Sequence, residues 1–244
     1  MSWTEAAAEI LARPDTPALL ASSDLRQLVS RALVQAKAER TPSESTFQRW
    51  LDRISDPGGD APLLTRVQRD LYRNDTPGHY VHPYAVVPRL RPTAVVSLQS
   101  VLGDAGVINN PSRVVFAVVD QGGPDGPRPR EVANPAGEFR FLGMRGEIYH
   151  AGDERDRLDP SSDVPKATLE RAFCDWLYLG HSRAHPTRGY PPLNIDLSDL
   201  DMDRVGRLSE AMGLREAMEK WMPRYLAAQD DPDFVQQVSS RLGF

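Results

Sequence analysis

Cysteine is almost absent from this chain of 244 residues, which carries a single thiol at Cys174. One cysteine excludes an intramolecular disulfide framework and a zinc site built from several thiolates. Because Cys174 lies in an apolar pattern of helical period, we expect a buried and unreactive thiol.

Long hydrophobic runs are also absent. No stretch reaches the roughly 18 apolar residues that a membrane-spanning helix requires. Residues 1–5 are not a basic segment leading into an apolar one, so no secretory signal is expected. We therefore predict a cytoplasmic protein.

Lysine is scarce, because only Lys37, Lys166 and Lys220 are lysines among the 29 cationic side chains. The chain is acidic, since it carries 34 anionic side chains. A protein that coats nucleic acid without specificity would be strongly basic, so any contact with DNA has to come from a local patch. The abundant arginines suit bidentate contacts to phosphate and guanine.

The common catalytic signatures are missing from the sequence. A nuclease of the restriction-endonuclease type needs an acidic residue two positions before a lysine that activates water beside a metal. Gln35, Val164 and Met218 occupy those positions, and none of them is acidic. Neither a Walker A loop nor a Gly-x-Ser-x-Gly elbow is present. We predict that the chain is not an enzyme.

Histidine and carboxylate clusters do not predict a metal or another cofactor. The pairs His79/His82 and His181/His185 stand in loops rich in proline and glycine and have no clear third ligand, so we expect solvated histidines. The acidic run at 196–203 lacks the glycine and terminal glutamate of a calcium loop and is read as a helix start.

The first 75 residues have the pattern of a winged helix-turn-helix. Residues 4–12 and 24–38 predict helices, the second capped by Asp24. Ser43 or Ser45 then caps a helix that runs to Ile54. Leu64–Asn74 alternates apolar and polar residues, which predicts a two-stranded hairpin, the wing.

A recognition helix needs a polar face toward base edges and an apolar back that docks on the rest of the domain. The helix at 43–54 meets both demands, and arginines of the wing are placed to contact phosphates. The candidate DNA contacts are Ser43, Ser45, Thr46, Gln48, Arg49 and Arg53 on the helix and Arg66, Arg69 and Arg73 on the wing. With four or five such contacts, the logarithm of the binding constant would fall against the logarithm of salt with a slope of roughly −4.

Residues 75–78 predict a boundary between a DNA-binding domain at 1–75 and a second domain at 79–244. The second domain is expected to be mixed α/β with a helical tail, which makes the whole chain α+β. Strands are predicted at Tyr84–Pro88, at Val114–Val119 and within Phe139–Tyr149. Helices are predicted at 97–105, capped by Ser97 and ended by Gly106, and from Thr168 onward, and loops at 121–130 and 181–192. The helical tail is predicted at 203–228, where Pro223 interrupts it, and at 233–242.

Polar residues on the helix that Thr168 opens are spaced for an ion pair. Arg171 and Asp175 stand four positions apart, as side chains that meet on one helix face do. We expect a structural clamp that includes Glu170 and not a pair for acid–base catalysis.

The order of these segments resembles the AbiEi family, the antitoxins of type IV abortive-infection toxin–antitoxin systems. The resemblance rests on the hairpin, on Tyr84–Pro88, on Val96–Leu102, on Gly106–Ile108, on Val114–Val119 and on Ala167–Asp175, and it covers about residues 24–180. Asp70 stands where the family's wing usually has glycine, and Leu169 where it has proline.

The resemblance implies a repressor that binds double-stranded operator DNA upstream of its own operon. It also implies an antitoxin that opposes a nucleotidyltransferase-like toxin without needing a stable complex with it. Two alternatives stay open from the residues alone. One is a nuclease or nucleotide-processing enzyme with a winged-helix targeting domain, and the other is a module whose winged helix contacts only protein.

Overall fold

The computed structural model describes residues 2–37, 41–58, 62–109, 112–123, 130–182 and 189–229. Contacts between Cα atoms divide the chain into two compact units. The first comprises residues 1–89 and 133–137, and the second comprises residues 90–132 and 138–244. The division after Arg89 lies beyond the boundary expected at 75–78. That residues 1–75 and 79–244 are separate domains stays a prediction.

Three helices build most of the first unit: α1 (Trp3–Leu11), α2 (Ser22–Gln35) and α3 (Glu44–Ile54). Ser43 is the N-cap of α3, as expected, because its hydroxyl accepts the backbone N–H of Thr46. The expectation that Asp24 caps α2 is wrong. Asp24 is the third residue of that helix, and its carboxylate accepts the backbone N–H of Ala21 at 2.8 Å.

A small antiparallel sheet completes the first unit. Strands β1 (Leu19–Ala21), β2 (Leu64–Gln68) and β3 (Leu71–Asn74) lie in the order β1-β3-β2. The predicted hairpin is therefore confirmed as β2 and β3, and β1 is an additional strand that the sequence pattern did not reveal. A bulge between Arg66 and Gln68 interrupts the pairing.

The core of the first unit lies between the three helices and the sheet. Trp3 and Trp50 pack with ring centroids 5.4 Å apart, and Trp50 is 4% exposed. The apolar residues of α3 that the helical period predicted as buried are all buried: Phe47, Trp50, Leu51 and Ile54. The opposite side of α3 is consequently left to solvent.

The expected strand at Tyr84–Pro88 is wrong, because these residues lie in helix α4 (Pro83–Leu90). Pro83 is the first residue of α4, a position where a missing backbone N–H costs nothing. Val86 and Val87 are fully buried. A short apolar run does not by itself distinguish a strand from a buried helix.

A second sheet has four strands, β4 (Val95–Val96), β5 (Val114–Asp120), β6 (Arg130–Asn134) and β7 (Gly137–Met144), in the order β4-β5-β7-β6. It belongs to the second unit except for residues 133, 134 and 137. The buried strand expected at 114–119 is confirmed as β5, which pairs in parallel with β7. The sequence analysis missed β6, an edge strand without an apolar run. Of the predicted segment 139–149, only the part up to Met144 is strand.

The helices of the second unit are α5 (Gln99–Asp104), α6 (Gly146–Tyr149), α7 (Glu154–Arg157), α8 (Leu169–His181), α9 (Met202–Ala211) and α10 (Arg215–Leu226). Helices α5 and α6 contact β5, and α7, α9 and α10 contact α8. Thr168 caps α8 as predicted, with its hydroxyl accepting the backbone N–H of Arg171 at 3.2 Å. Ser97 does not cap α5. The N-cap position belongs to Leu98, which has φ 58° and ψ −136°.

The helical tail differs from its prediction at Pro223. This proline lies inside α10, where it does not interrupt the helix. The break falls instead between α9 and α10, at Gly213, whose φ is +65°. The helix expected at 233–242, residues 124–129 of the first expected loop and residues 183–188 of the second lie outside the described residues. In the part of the chain that the structure describes, no helix is long and apolar enough to cross a lipid bilayer.

Candidate nucleic-acid interface and a buried charge cluster

The N-terminal turn of α3 is held by its own hydroxyl groups. The Ser43 hydroxyl accepts the Thr46 backbone N–H at 3.2 Å and lies 3.0 Å from the Ser45 hydroxyl and 2.9 Å from the Thr46 hydroxyl. All three side chains are exposed. They form one polar surface, and each of them retains hydrogen-bonding capacity toward solvent or a ligand.

The rest of the outward face of α3 carries Gln48, Arg49, Asp52 and Arg53, all exposed. Gln48 donates to the Asp52 carboxylate at 2.8 Å, so its amide nitrogen is engaged within the helix. Arg49 and Arg53 form neither a hydrogen bond nor an ion pair with any residue that the structure describes. Two unneutralised guanidinium groups therefore stand on this face.

The three arginines of the hairpin differ in their surroundings. Arg66 on β2 is exposed and has no hydrogen bond or ion pair among the described residues. Arg69 at the turn is 91% exposed, with its Nε 3.5 Å from the Asp70 carboxylate. Such a pair in full contact with water contributes little and separates readily.

Arg73 is already committed to a structural contact, contrary to the expectation that it contacts phosphate. Its Nε donates to the Asp75 carboxylate at 2.6 Å, and its Nη1 donates to the Pro135 carbonyl at 2.8 Å. Arg73 and Asp75 are two positions apart in extended chain and so share one face. That spacing was the signal for this pair, and the sequence analysis did not use it.

The Asp70 position gives the hairpin its turn. Asp70 has φ +61°, a left-handed conformation that glycine adopts without strain and aspartate adopts at a modest cost. Its backbone carbonyl accepts the Ser22 N–H at 3.2 Å, and its carboxylate accepts the Ser22 hydroxyl at 3.2 Å. The turn is thereby tied to the start of α2.

The second unit contains a buried charge cluster at the start of α8. Arg171 is 3% exposed and Asp175 is fully buried, and the Arg171 Nε donates to Asp175 at 2.7 Å. The other Asp175 oxygen accepts the Ser97 hydroxyl at 2.6 Å. The expected pair between Arg171 and Asp175 is confirmed, and Ser97 is a partner that the sequence did not reveal.

Arg171 also holds the end of α6. Its two terminal nitrogens donate to the carbonyls of Ile148 and Ala151, each at 2.9 Å, and to that of Tyr149 at 3.1 Å. The guanidinium is thus hydrogen-bonded on every side, which offsets the cost of burying its charge. These contacts join α6, α8 and the segment before α5.

A second part of the cluster joins α8 to α9. The Glu170 carboxylate accepts the Asp201 backbone N–H at 2.9 Å and the Arg204 guanidinium at 3.1 Å. Arg207 donates twice to Asp156, at 3.1 and 3.2 Å, and this contact lowers the pKa of the Asp156 carboxyl. The carboxylates of this region are therefore engaged in packing contacts.

Cys174 and His79 occupy structural positions. Cys174 is fully buried, and burial raises the pKa of its thiol to about 12, which keeps it protonated. His79, expected as a solvated loop residue, has both ring nitrogens in hydrogen-bonding distance of partners, among them the Arg13 carbonyl at 3.0 Å. His185 lies outside the described residues, and within the described ranges no three metal-binding side chains converge.

Comparison with known proteins shows a similarity of fold. The chain matches no family model and no curated protein. Its fold is similar to that of the Rv2827c protein from Mycobacterium tuberculosis, a crystal structure, with a TM-score of 0.61. That similarity covers 98% of this chain and 81% of the other at 16% sequence identity, so it establishes a shared α+β fold and nothing about function.

Proposed function

We propose that the first unit is a winged helix-turn-helix that binds double-stranded operator DNA, with α3 as the recognition helix and the β2–β3 hairpin as the wing. The order α1, β1, α2, α3, β2, β3 supplies the helices and the sheet that such a domain requires. The principal support is that Arg49, Arg53 and Arg66 are exposed and have no ion-pair partner among the described residues. Unpaired guanidinium groups are suited to phosphate and guanine.

The hydroxyl-lined turn of α3 adds a second contact region to this proposal. Ser43, Ser45 and Thr46 lie at the helix start, where recognition helices meet base edges. Arg69 extends from the hairpin turn toward solvent and is placed for a backbone phosphate. Arg73 is not among the proposed DNA contacts, because its guanidinium forms an ion pair with the Asp75 carboxylate.

The test is binding of the full chain to the DNA upstream of its own gene, measured by fluorescence anisotropy beside a scrambled duplex. Arg49→Glu combined with Arg66→Glu is expected to abolish sequence-dependent binding. Arg215→Glu combined with Arg224→Glu, which makes the same total change of charge at two exposed residues of α10, is the control and is expected to leave affinity unchanged.

Two outcomes would contradict the proposal. Unchanged affinity of the double variant would exclude α3 and β2 as the binding surface. Failure of the unaltered protein to bind any duplex at low salt would favour a module that contacts only protein.

We also propose, from the resemblance to the AbiEi family, that the chain is an antitoxin which opposes a nucleotidyltransferase-like toxin. The segment Thr168–Asp175, which carries part of that resemblance, starts α8 and forms the buried charge cluster. This placement supports a role for the segment in building the second unit. The surface that counters a toxin would then lie outside the cluster.

Growth of cells that produce a neighbouring nucleotidyltransferase-like toxin tests this role. Co-production of the full chain is expected to restore growth, and so is co-production of the Arg49→Glu, Arg66→Glu variant, because DNA binding and antitoxin action belong to different units. Loss of rescue in that variant alone would show that the two activities are not separable. Absence of rescue by the unaltered chain would reject the antitoxin role for that pair.

A further inference from the structure

A cleft in the second unit combines a strained backbone, a guanidinium beside an aromatic ring and polar side chains at its rim. Its volume is about 350 Å³. The floor is formed by buried apolar residues, and the rim by Gln99, Glu131 and Arg140. The floor residues are Leu98, Phe116, Trp176 and Leu179.

Arg140 is positioned by its neighbours on the sheet. It is the register partner of Phe116 in the parallel pair β5–β7, so both side chains lie on one face. The guanidinium carbon stands 5.7 Å from the Phe116 ring centroid, and Glu131 forms an ion pair with the guanidinium. About a third of the Arg140 side chain remains exposed. The exposed part of the guanidinium is available to a ligand, and guanidinium groups stack on flat rings.

Arg140 is also short of hydrogen bonds. Its Nε is buried and has no acceptor among the residues that the structure describes. Among the described residues the guanidinium contacts Phe116 and Glu131, whereas the donors of Arg171 are used on every side.

Leu98 adds an independent observation. Its φ of 58° and ψ of −136° lie in a region that residues other than glycine avoid. This conformation turns the chain from β4 into α5 and places the Leu98 side chain in the floor of the cleft, beside Gln99. Strained residues of this kind concentrate where a ligand is bound.

We propose that this cleft binds a guanine base. The flat ring stacks on the Arg140 guanidinium, in the order Phe116, Arg140, ligand. Glu131, which is 70% exposed, accepts the two neighbouring N–H donors of guanine while it keeps its contact with Arg140, because a carboxylate has about four acceptor positions. Gln99 donates to the carbonyl oxygen of the base.

The charges of the rim favour a neutral ring over a highly charged ligand. Arg140 and Glu131 cancel each other, so the cleft offers no net positive charge to a chain of phosphates. Adenine has no pair of adjacent N–H donors on its edge and cannot satisfy the carboxylate in the same way. The guanine can belong to a free nucleotide or to an unpaired position in a strand.

Calorimetric titration of the full chain with guanosine, inosine and adenosine monophosphates tests the proposal, because the three share one phosphate and differ in the base. Affinity is expected to fall in that order, since inosine lacks one of the two donors and adenine lacks the ring N–H. Glu131→Gln is expected to weaken guanosine monophosphate binding by about tenfold or more. Glu147→Gln, in the exposed pair with Arg145 of the same unit, is the control and should have no effect.

A second arm identifies the source of the base. A single-stranded thymidine oligonucleotide with one guanine is compared with the same strand carrying adenine. Tighter binding of the guanine strand than of the free nucleotide assigns the cleft to nucleic acid, and equal binding assigns it to the nucleotide. Equal affinity for guanine and adenine in both arms, no binding in either, or an unaltered affinity of Glu131→Gln would overturn the proposal. Duplex operator DNA has no unpaired guanine, so this result is independent of operator binding by α3.

Discussion

At the scale of single residues, burial separates the charges that build the fold from those that remain available. Arg171 and Arg49 each follow a polar residue in the sequence, Glu170 and Gln48, yet Arg171 is 3% exposed and Arg49 is exposed to solvent. Spacing predicted the partner of Arg171, since Asp175 follows four positions later. Ser97, which also donates to the Asp175 carboxylate, is distant in the chain, and only folding brings the two residues together.

Removing the Asp175 carboxylate is expected to destabilise the second unit strongly. In Asp175→Asn the buried guanidinium of Arg171 loses its counter-charge, a change that typically costs about 3–5 kcal/mol. Denaturant unfolding measures the loss. Glu216→Gln is the matched control, because Glu216 and Lys220 have the same spacing on α10 but are exposed. A loss for Asp175→Asn no larger than for Glu216→Gln would contradict this account of the cluster.

Ionisation of Cys174 is expected to make folding less favourable at high pH. The unfolded thiol loses its proton near pH 9.0, whereas burial in the folded chain raises the pKa to about 12. Between these values the folded state binds more protons than the unfolded state, so the free energy of unfolding falls as pH rises, by about 1.4 kcal/mol per pH unit.

The comparison of the unaltered protein with Cys174→Ala isolates this effect, because other groups that titrate in the range are common to both. Their difference in unfolding free energy should be constant below pH 8 and should decline above pH 9. A difference that stays constant to pH 11 would show that the thiol ionises equally in both states.

At the scale of elements, helices with a strong cap or a clear apolar period were predictable, and short segments were not. Ser43 and Thr168 marked the starts of α3 and α8 because each hydroxyl satisfies a free backbone N–H. The segment Tyr84–Pro88 was misassigned because five apolar residues satisfy either a strand or a buried helix turn. Strand β6 was missed because an edge strand needs no apolar run.

The hairpin turn offers a test at this scale. Asp70→Gly is expected to keep the fold, because glycine adopts φ +61° without strain, although it gives up the hydrogen bond from Ser22. Asp70→Ala loses that bond and keeps the strain, and it should destabilise the first unit by about 1 kcal/mol relative to Asp70→Gly. Thermal unfolding measures both variants. Equal stability of the two would show that the turn changes its conformation.

The variants Asp70→Gly and Asp70→Ala also test whether Arg69 contacts DNA. Both remove the carboxylate that lies 3.5 Å from Arg69. Affinity for operator DNA should therefore increase in each of them, by a similar factor, if Arg69 contacts a phosphate. An increase in neither would place Arg69 outside the interface.

At the scale of the whole molecule, an acidic chain must concentrate its DNA-binding charge locally. The formal net charge is −5, and Arg49, Arg53 and Arg66 are exposed without neutralising partners among the described residues. With Arg69 these residues make four phosphate contacts, which correspond to a slope of roughly −3.6 in a plot of log K against log salt, close to the −4 expected from the sequence. Anisotropy titrations at several salt concentrations measure this slope, and a value near zero would argue against phosphate contacts.

The sequence alone determined the pattern of helices with capped starts, the hairpin, the buried strand β5 and the pairing of Arg171 with Asp175. These features depend on neighbours a few residues apart, where helical and strand periods place side chains on known faces. Tertiary structure decided which polar residues are free. Arg73 is held through the Pro135 carbonyl, Asp175 through Ser97, and the cleft around Arg140 exists only because β5 and β7 pair in parallel. Such contacts join residues far apart in the chain, and no local period encodes them.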